Sequence, residues 1–239
     1  MPLRKLRVKH TRVSRMLTVF LVSIIFVSAS LLSVIAVLHF HRNMVDRENQ
    51  SLDINTGRIG SDLAGLLDQL RRDVRFLSQL PSVQAYIAAS VNRTGSSEPE
   101  VQAEEASSGY LTSVLTQCSQ LNPDFAQIRL IGTADHGREV IRINQTREAG
   151  VTVVLPADLQ EKGTAAYFQE AIGLPVGDVY ISPIELNREF AQISQPPEPV
   201  LIVASALQNP DGSPFGIMVI NFSMSAMFSR YRNMMLPDQ

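Results

Sequence analysis

No tryptophan occurs among the 239 residues, and there are only one cysteine, Cys118, and four histidines. A lone cysteine excludes an intramolecular disulfide, a disulfide scaffold and a cysteine-rich metal cage. Without an indole, no ligand is gripped against a tryptophan face. His136 stands in a Gly-bounded turn, and its spacing to Glu139 lacks the second histidine of a helical zinc motif. Neither a Gly-x-Ser-x-Gly elbow nor a phosphate-loop string is present, so the residues predict no catalytic activity, no metal site and no cofactor.

Acidic residues are missing from positions 1–16, which hold Arg4, Lys5, Arg7, Lys9, Arg12 and Arg15. Removing these six from the 21 basic residues leaves 15 against 23 acidic ones, a net of −8 for the remainder. This tail is followed by Leu17–Leu38, 22 residues without a charge. As a helix rising ~1.5 Å per residue they cover a hydrocarbon core of about 30 Å. A cleaved secretory signal ending at Ser28-Ala29-Ser30 competes with an anchor. Signal cores usually run about 7–15 residues, and this run continues past the candidate site, which favours the anchor. By the positive-inside rule the N-terminus is cytoplasmic, the span (17–40) crosses the inner membrane, and the residues after it are periplasmic or extracellular. The span accounts for the basic tail, so no nucleic-acid partner is expected.

Beyond the membrane, Ile59, Leu63, Leu66, Leu67, Leu70, Val74 and Leu77 recur at steps of three and four, one stripe of a long stalk helix within a region 41–91. The stripe suits packing on its own domain or pairing as a homodimer. Its own domain ranks first, because a coiled coil needs a longer sustained heptad. Gly57 and Gly60 read as a flexible break in the stalk. Pro81 stops it, and Ser82 is a candidate N-cap for a helix to Val91. Residues 92–109, rich in Ser, Glu and Gly, read as a flexible loop. Within 110–235, Tyr110–Leu121 has helical spacing and carries Cys118 on its apolar stripe. Phe125–Ile131, Arg138–Ile143, Val151–Leu155, Val179–Ser182, Val200–Leu207 and Phe215–Phe222 read as strands, with a helix over Thr164–Ile172. Helices followed by antiparallel strands predict an α+β domain with one central sheet.

Several strings in this order resemble the Cache, or PDC, sensor domains, the extracellular PAS-like inputs of histidine kinases, chemoreceptors and diguanylate cyclases. They are Gln127-Ile128-Arg129, Gly137-Arg138-Glu139-Val140-Ile141-Arg142, Tyr167-Phe168, Gly177-Asp178-Val179-Tyr180-Ile181-Ser182-Pro183, and Asp211-Gly212 leading into Gly216-Ile217-Met218-Val219-Ile220-Asn221. The resemblance covers roughly 40–235. It implies a ligand-sensing input region of a signal-transduction receptor, the membrane-distal module of a double-Cache region, with the output domain outside this chain. The amino-acid-binding type uses Tyr and Arg followed by Trp, which a chain without tryptophan cannot complete, so a standard α-amino-acid ligand is disfavoured. A membrane-anchored scaffold that binds another envelope protein is the rival reading.

In the resembling family the sheet forms a pocket floor. That implies a small anionic or polar metabolite held by Arg129 and Arg142 on adjacent strands, with Tyr167, Tyr180 and Ser182 shaping the cavity. Each has a plainer alternative. Strict alternation puts Arg142 on one face with Arg138 and Val140, where water solvates it, and the tyrosines serve equally as core aromatics.

Overall fold

The structure is a computed structural model that describes residues 3–93, 97–190 and 192–235. The chain divides into two units, 1–62 and 63–239. The described residues of the first belong to helix α1 (Leu3–Ser78). Its segment Arg15–Ile35 is, among the described residues, the one helix long and apolar enough to cross a membrane. The side chains of tail positions 1–14, and those of His39 and His41, lie outside the described residues. The expected break at Gly57 and Gly60 is absent, and α1 runs through both. Each glycine costs about 0.8–1.0 kcal/mol against alanine, too little to interrupt so long a helix.

In the second unit the stalk stripe packs as the spacing predicts. Leu70, Val74 and Leu77 are buried, and Leu63, Leu66 and Leu67 are half-buried against the same core. Helix α2 (Pro81–Asn92) follows at once. It begins one residue before the expected Ser82 cap, with Pro81 in the first turn and no side-chain cap. Proline suits this position because its missing N–H would have had no helical partner. The expected loop over 92–109 is mostly helix instead: α3 takes Glu98–Leu121, and positions 94–96 lie outside the described residues. Glu98 and Glu100 in the first turn complement the helix dipole, and Val101–Ala106 are mostly strong helix formers, so propensity outweighs the polar composition.

The strands are β1 (Phe125–Gly132), β2 (Glu139–Thr146), β3 (Gly150–Val153), β4 (Val179–Ile181), β5 (Glu185–Leu186), β8 (Pro199–Gln208) and β9 (Pro214–Ser223). They form one seven-stranded sheet in the order β3-β2-β1-β9-β8-β4, with β5 also on β8, and every pairing is antiparallel. A separate two-stranded ribbon joins β6 (Arg188–Glu189) to β7 (Gln192–Ile193). The turn α4 (Ala134–Gly137) links β1 to β2, α5 (Ala166–Ile172) precedes β4, and α6 (Ser225–Met235) follows β9.

One sheet face carries Ile128, Leu130, Ile141, Ile143, Val203, Met218 and Ile220 into a core shared with α1, α2 and α3. The other carries Ile131, Ile202, Ala204, Ile217 and Val219 against Tyr167, Phe168 and Ala171 of α5. Two irregularities decide which polar residues join this second face. In β1 the register against β9 shifts between Phe125 and Gln127. The extra residue lets Phe125 and Ile128, three apart, share the helix-side core and leaves Gln127 with Arg129 on the opposite face. In β2 the partners of Leu130 and Ile131 are Ile141 and Glu139, so Val140 is the extra residue. Glu139 and Arg142 thereby meet on one side, and strict alternation, which groups Arg142 with Val140, does not hold.

Candidate functional site

On the α5 side of the sheet lies a cavity of about 910 Å³, lined by β1, β8 and β9, by α5, and by the segments 159–166 and 180–190. Segment 159–163 makes a single antiparallel bridge, Glu161 to Arg138, and is pinned by its backbone to the turn α4 and the start of β2. Glu139 N–H donates to Gln160 O (2.9 Å), Lys162 N–H to Gly137 O (2.8 Å), and Gly163 N–H to His136 O (3.0 Å). The last contact needs two glycines, since a Cβ on Gly163 would lie 2.3 Å from His136 O and Gly137 has φ +75°. Gln160 and Lys162 are thereby delivered to the cavity wall.

Arg129, Tyr167, Tyr180 and Ser182 all line the cavity; Arg142 does not. Arg129 is 2% exposed. Its Nη1 donates to the Tyr167 hydroxyl (3.1 Å) and its Nη2 to Gln127 Oε1. The Ser182 hydroxyl is spent on backbone, accepting from Ile202 N–H (2.9 Å) and donating to Pro183 O (2.7 Å). Burial first, then the nearby Glu170 and Glu185, push the Tyr180 phenol above its ordinary value. Burial likewise raises Tyr167, against the opposing charge of Arg129.

Arg142, also buried, closes a ring of alternating charge. Its Nη1 lies 3.4 Å from Glu139 Oε2 and its Nη2 2.9 Å from Glu189 Oε2. Arg129 completes the ring, its Nε 3.7 Å from Glu139 Oε1 and its Nη2 4.0 Å from Glu189 Oε1. The two guanidiniums therefore stand matched by two carboxylates, and neither is the free cation that the sequence suggested. The wall also carries Arg138, Lys162 and Arg188 together with Glu161, Glu170 and Glu185, a cavity of mixed charge. Burial, and then the charge of Arg129, lower the Lys162 amine, while Glu139 and Glu189 oppose them.

Amides knit the ring. Gln127 Nε2 donates to Glu189 Oε1 (2.5 Å), and Gln160 Nε2 to Glu189 Oε2 (2.6 Å). Asn221, fully buried in the wall, spends its Nδ2 on Gln127 Oε1 and Asn187 Oδ1, each at 3.1 Å. Its Oδ1 has no partner, nor have Arg129 Nε and Glu139 Oε1 as hydrogen bonds. Such groups cost free energy unless water or a ligand meets them. Among the described residues no group of three or more His, Cys, Asp or Glu is placed to hold a metal ion.

Sequence reasoning missed Gln127, Glu139, Gln160, Lys162, Glu189 and Asn221. Three of these stand inside the quoted strings, and the alternation of Gln127 with Arg129 would have found one. Gln160 and Lys162 come from an irregular segment and Glu189 from a two-residue strand, neither long enough for a periodic signal.

Burial pushes the Glu189 carboxyl up but is outweighed by the hydrogen bond from Gln127, the charges of Arg129 and Arg142 and the hydrogen bond from Gln160, so its pKa lies below the ordinary 4.5. A carboxyl depressed on folding adds stability that is fully present above its unfolded pKa and is lost as pH falls through the folded one. Acid titration of the chain should therefore show a loss of stability beginning near pH 4.5, the ordinary value. Glu189→Gln should be less stable at pH 7 and shallower along that acid limb. An unchanged limb would remove Glu189 from the proton balance.

No protein-family model matches the chain, and no curated protein matches it in sequence. Solved structures do match. A domain assigned to the sensory box/GGDEF family, from Vibrio parahaemolyticus, aligns over 73% of this chain and 60% of its own, at 20% identity and TM-score 0.61. The extracellular domain of vpHK1S-Z8, described as a histidine kinase, aligns over 73% and 57%, at 21% identity and TM-score 0.60. A methyl-accepting chemotaxis protein X aligns over 74% and 63%, at 13% identity and TM-score 0.53. The chain thus spans about 60% of the length of the first of these structures. At such identities the likeness is one of fold: the second unit has the α+β, PAS-like fold of extracellular sensory domains, the fold implied by the Cache resemblance.

Proposed function

We propose that this chain is the ligand-sensing input region of a membrane-bound signal-transduction receptor of the histidine kinase or diguanylate cyclase type. Its apolar N-terminal helix is the anchor, its basic tail is cytoplasmic, and its sheet domain lies outside the inner membrane. The observation that carries the reading is the cavity wall, where Arg129, Lys162 and the unpartnered Asn221 Oδ1 meet an apolar floor that includes Val200 and Ile202. A few convergent polar groups in an apolar recess are what a small-molecule site requires. The ligand is a small polar metabolite with an anionic group for Arg129.

A route from cavity to stalk is present. Tyr180 and Ser182 line the cavity, and a few residues earlier Gly177 O accepts from Arg75 Nε of α1 at 2.6 Å. Ligand that shifts the 177–182 segment pulls on the helix bearing the stalk stripe.

Binding is tested by thermal shift and calorimetry of the full chain in nanodiscs against organic acids, nucleotides, sugars and polyamines. A binder raises the melting midpoint as its free concentration exceeds Kd. Arg129→Ala is expected to weaken the hit at least about tenfold, since charge-assisted hydrogen bonds are worth ~1.5–3 kcal/mol. Unchanged affinity in folded Arg129→Ala would overturn the site, and a blank screen would overturn the sensing reading.

A further inference from the structure

Glu189 differs from the other members of the charge ring in where it is rooted. Arg129, Glu139 and Arg142 stand on β1 and β2 within the main sheet, whereas Glu189 stands on a two-residue strand that pairs only with β7. Glu139 is completely buried, with Oε2 fixed by the Gln160 N–H at 3.0 Å, while the Glu189 side chain is 21% exposed. Every partner of Glu189 comes from another element: Gln127 and, as a charge at 4.0 Å, Arg129 from β1, Arg142 from β2, and Gln160 from the pinned segment. Two of those partners, Arg129 and Gln160, line the cavity, as do the residues on either side of Glu189, Arg188 and Phe190. Phe190 is 67% exposed and has φ +49°. The sheet and the pinned segment thus build a carboxylate position that does not depend on the residue now filling it.

We propose that Glu189 is a resident carboxylate in this position, and that the ligand is a small hydroxycarboxylic acid whose own carboxylate takes its place on Arg142, Gln127 and Gln160, facing Arg129. The inference rests on the ligand-sensing reading above and narrows it. Charge selects the class. Exchanging one carboxylate for another keeps the two guanidiniums matched, whereas a cation would meet two positive groups and a neutral sugar would leave Arg142 half paired. A hydroxyl on the ligand gives the Asn221 Oδ1 in the cavity wall the donor that it lacks. The ribbon β6–β7 then loses the side-chain hold of Glu189 and is loosened, keeping the Phe190 N–H bond to Gln160 Oε1 and the bonds of Asn187.

The test uses the full chain in nanodiscs with lactate and glycolate as probes and acetate, methyl phosphate and glycerol as contrasts. Glu189→Gln keeps the shape of the side chain but removes the competing charge. It should bind lactate at least tenfold more tightly than wild type, and lactate should bind wild type more tightly than acetate does. In wild type, lactate should speed hydrogen exchange over 185–190 and 192–193 while slowing it in β1 and at Gln160. Equal or weaker lactate binding by folded Glu189→Gln, or exchange in the ribbon that slows or stays constant, would overturn the proposal. The exchange measurement decides alone if the variant does not fold. Binding of the metabolites in the wider screen without binding of any carboxylate would sink this inference and leave the sensing reading intact. No binding by wild type or variant would sink both.

Discussion

Arg142→Ala is expected to cost the folded protein about 3–5 kcal/mol, the usual penalty for removing one partner of a buried charged set. Of the two guanidiniums in the ring, Arg142 stands nearer both carboxylates, at 3.4 Å from Glu139 and 2.9 Å from Glu189, whereas Arg129 stands at 3.7 and 4.0 Å. Its loss leaves two carboxylates, one wholly buried and one 21% exposed, facing one guanidinium. Against a total stability of about 5–15 kcal/mol, that is a large part of the whole. The destabilisation comes from what is left behind more than from the worth of the pair, so a second change should recover part of it. Arg142→Met with Glu189→Gln restores neutrality, and the two sites share partners closely enough to couple by at least about 0.5 kcal/mol. Chemical denaturation followed by far-UV circular dichroism is the measurement, since the chain has no tryptophan to report by fluorescence. A single-variant loss below about 1 kcal/mol, or strictly additive losses, would show that the ring is solvated or slack.

Gly216→Ala should be as damaging for a different reason. Gly216 lies in β9 opposite both Gly132 of β1 and Leu207 of β8, at the centre of the sheet. An added Cβ would stand 2.0 Å from Ile131 O and 2.9 Å from Gly132 Cα, both backbone atoms of a paired strand. A side chain can swing aside, but a strand hydrogen-bonded on both edges cannot move without losing its ladder. The cost is expected at about 3 kcal/mol or more, the upper end of overpacking penalties. Gly65→Ala is the matched control, because nothing lies within 4 Å of its added Cβ and it sits inside α1. There the methyl should stabilise by about 0.5–1 kcal/mol through helix propensity. If the two variants melt alike, the close approach at Gly216 is relieved by a shift that the geometry does not suggest.

The helix-side core was readable because the stalk stripe and the strands over 125–131, 200–207 and 215–222 follow simple periods. The α+β class and the sheet follow from those periods alone. Arg129 and Tyr167 were also legible, since the strings that hold them lie on a regular strand and a regular helix. The partnership of Arg142 was not. Val140 occupies an extra position in β2, and a bulge at an ordinary valine leaves no mark in composition or hydropathy. It changes Arg142 from a neighbour of Arg138 into a partner of Glu139. The first half of helix α3, Glu98–Gly109, was missed for another reason, that Ser, Gly and Glu mark a loop by composition while Glu and Ala favour a helix by propensity. The ribbon that bears Glu189 has strands of two residues, shorter than any period can show.

The alternation along β1 ties assembly of the site to assembly of the core. Ile128 and Leu130 enter the helix-side core while Gln127 and Arg129 enter the ring, so a slip of one residue against β9 would exchange the two sets. A slipped chain would place a guanidinium among leucines and leave two glutamates without Arg129, and it would not persist. Correct folding and a correctly formed ring are therefore one event, and under the proposed function every folded copy should count as one binding-competent copy. Titration with any tight ligand should accordingly reach one site per folded chain, with no inactive fraction that is folded yet misassembled.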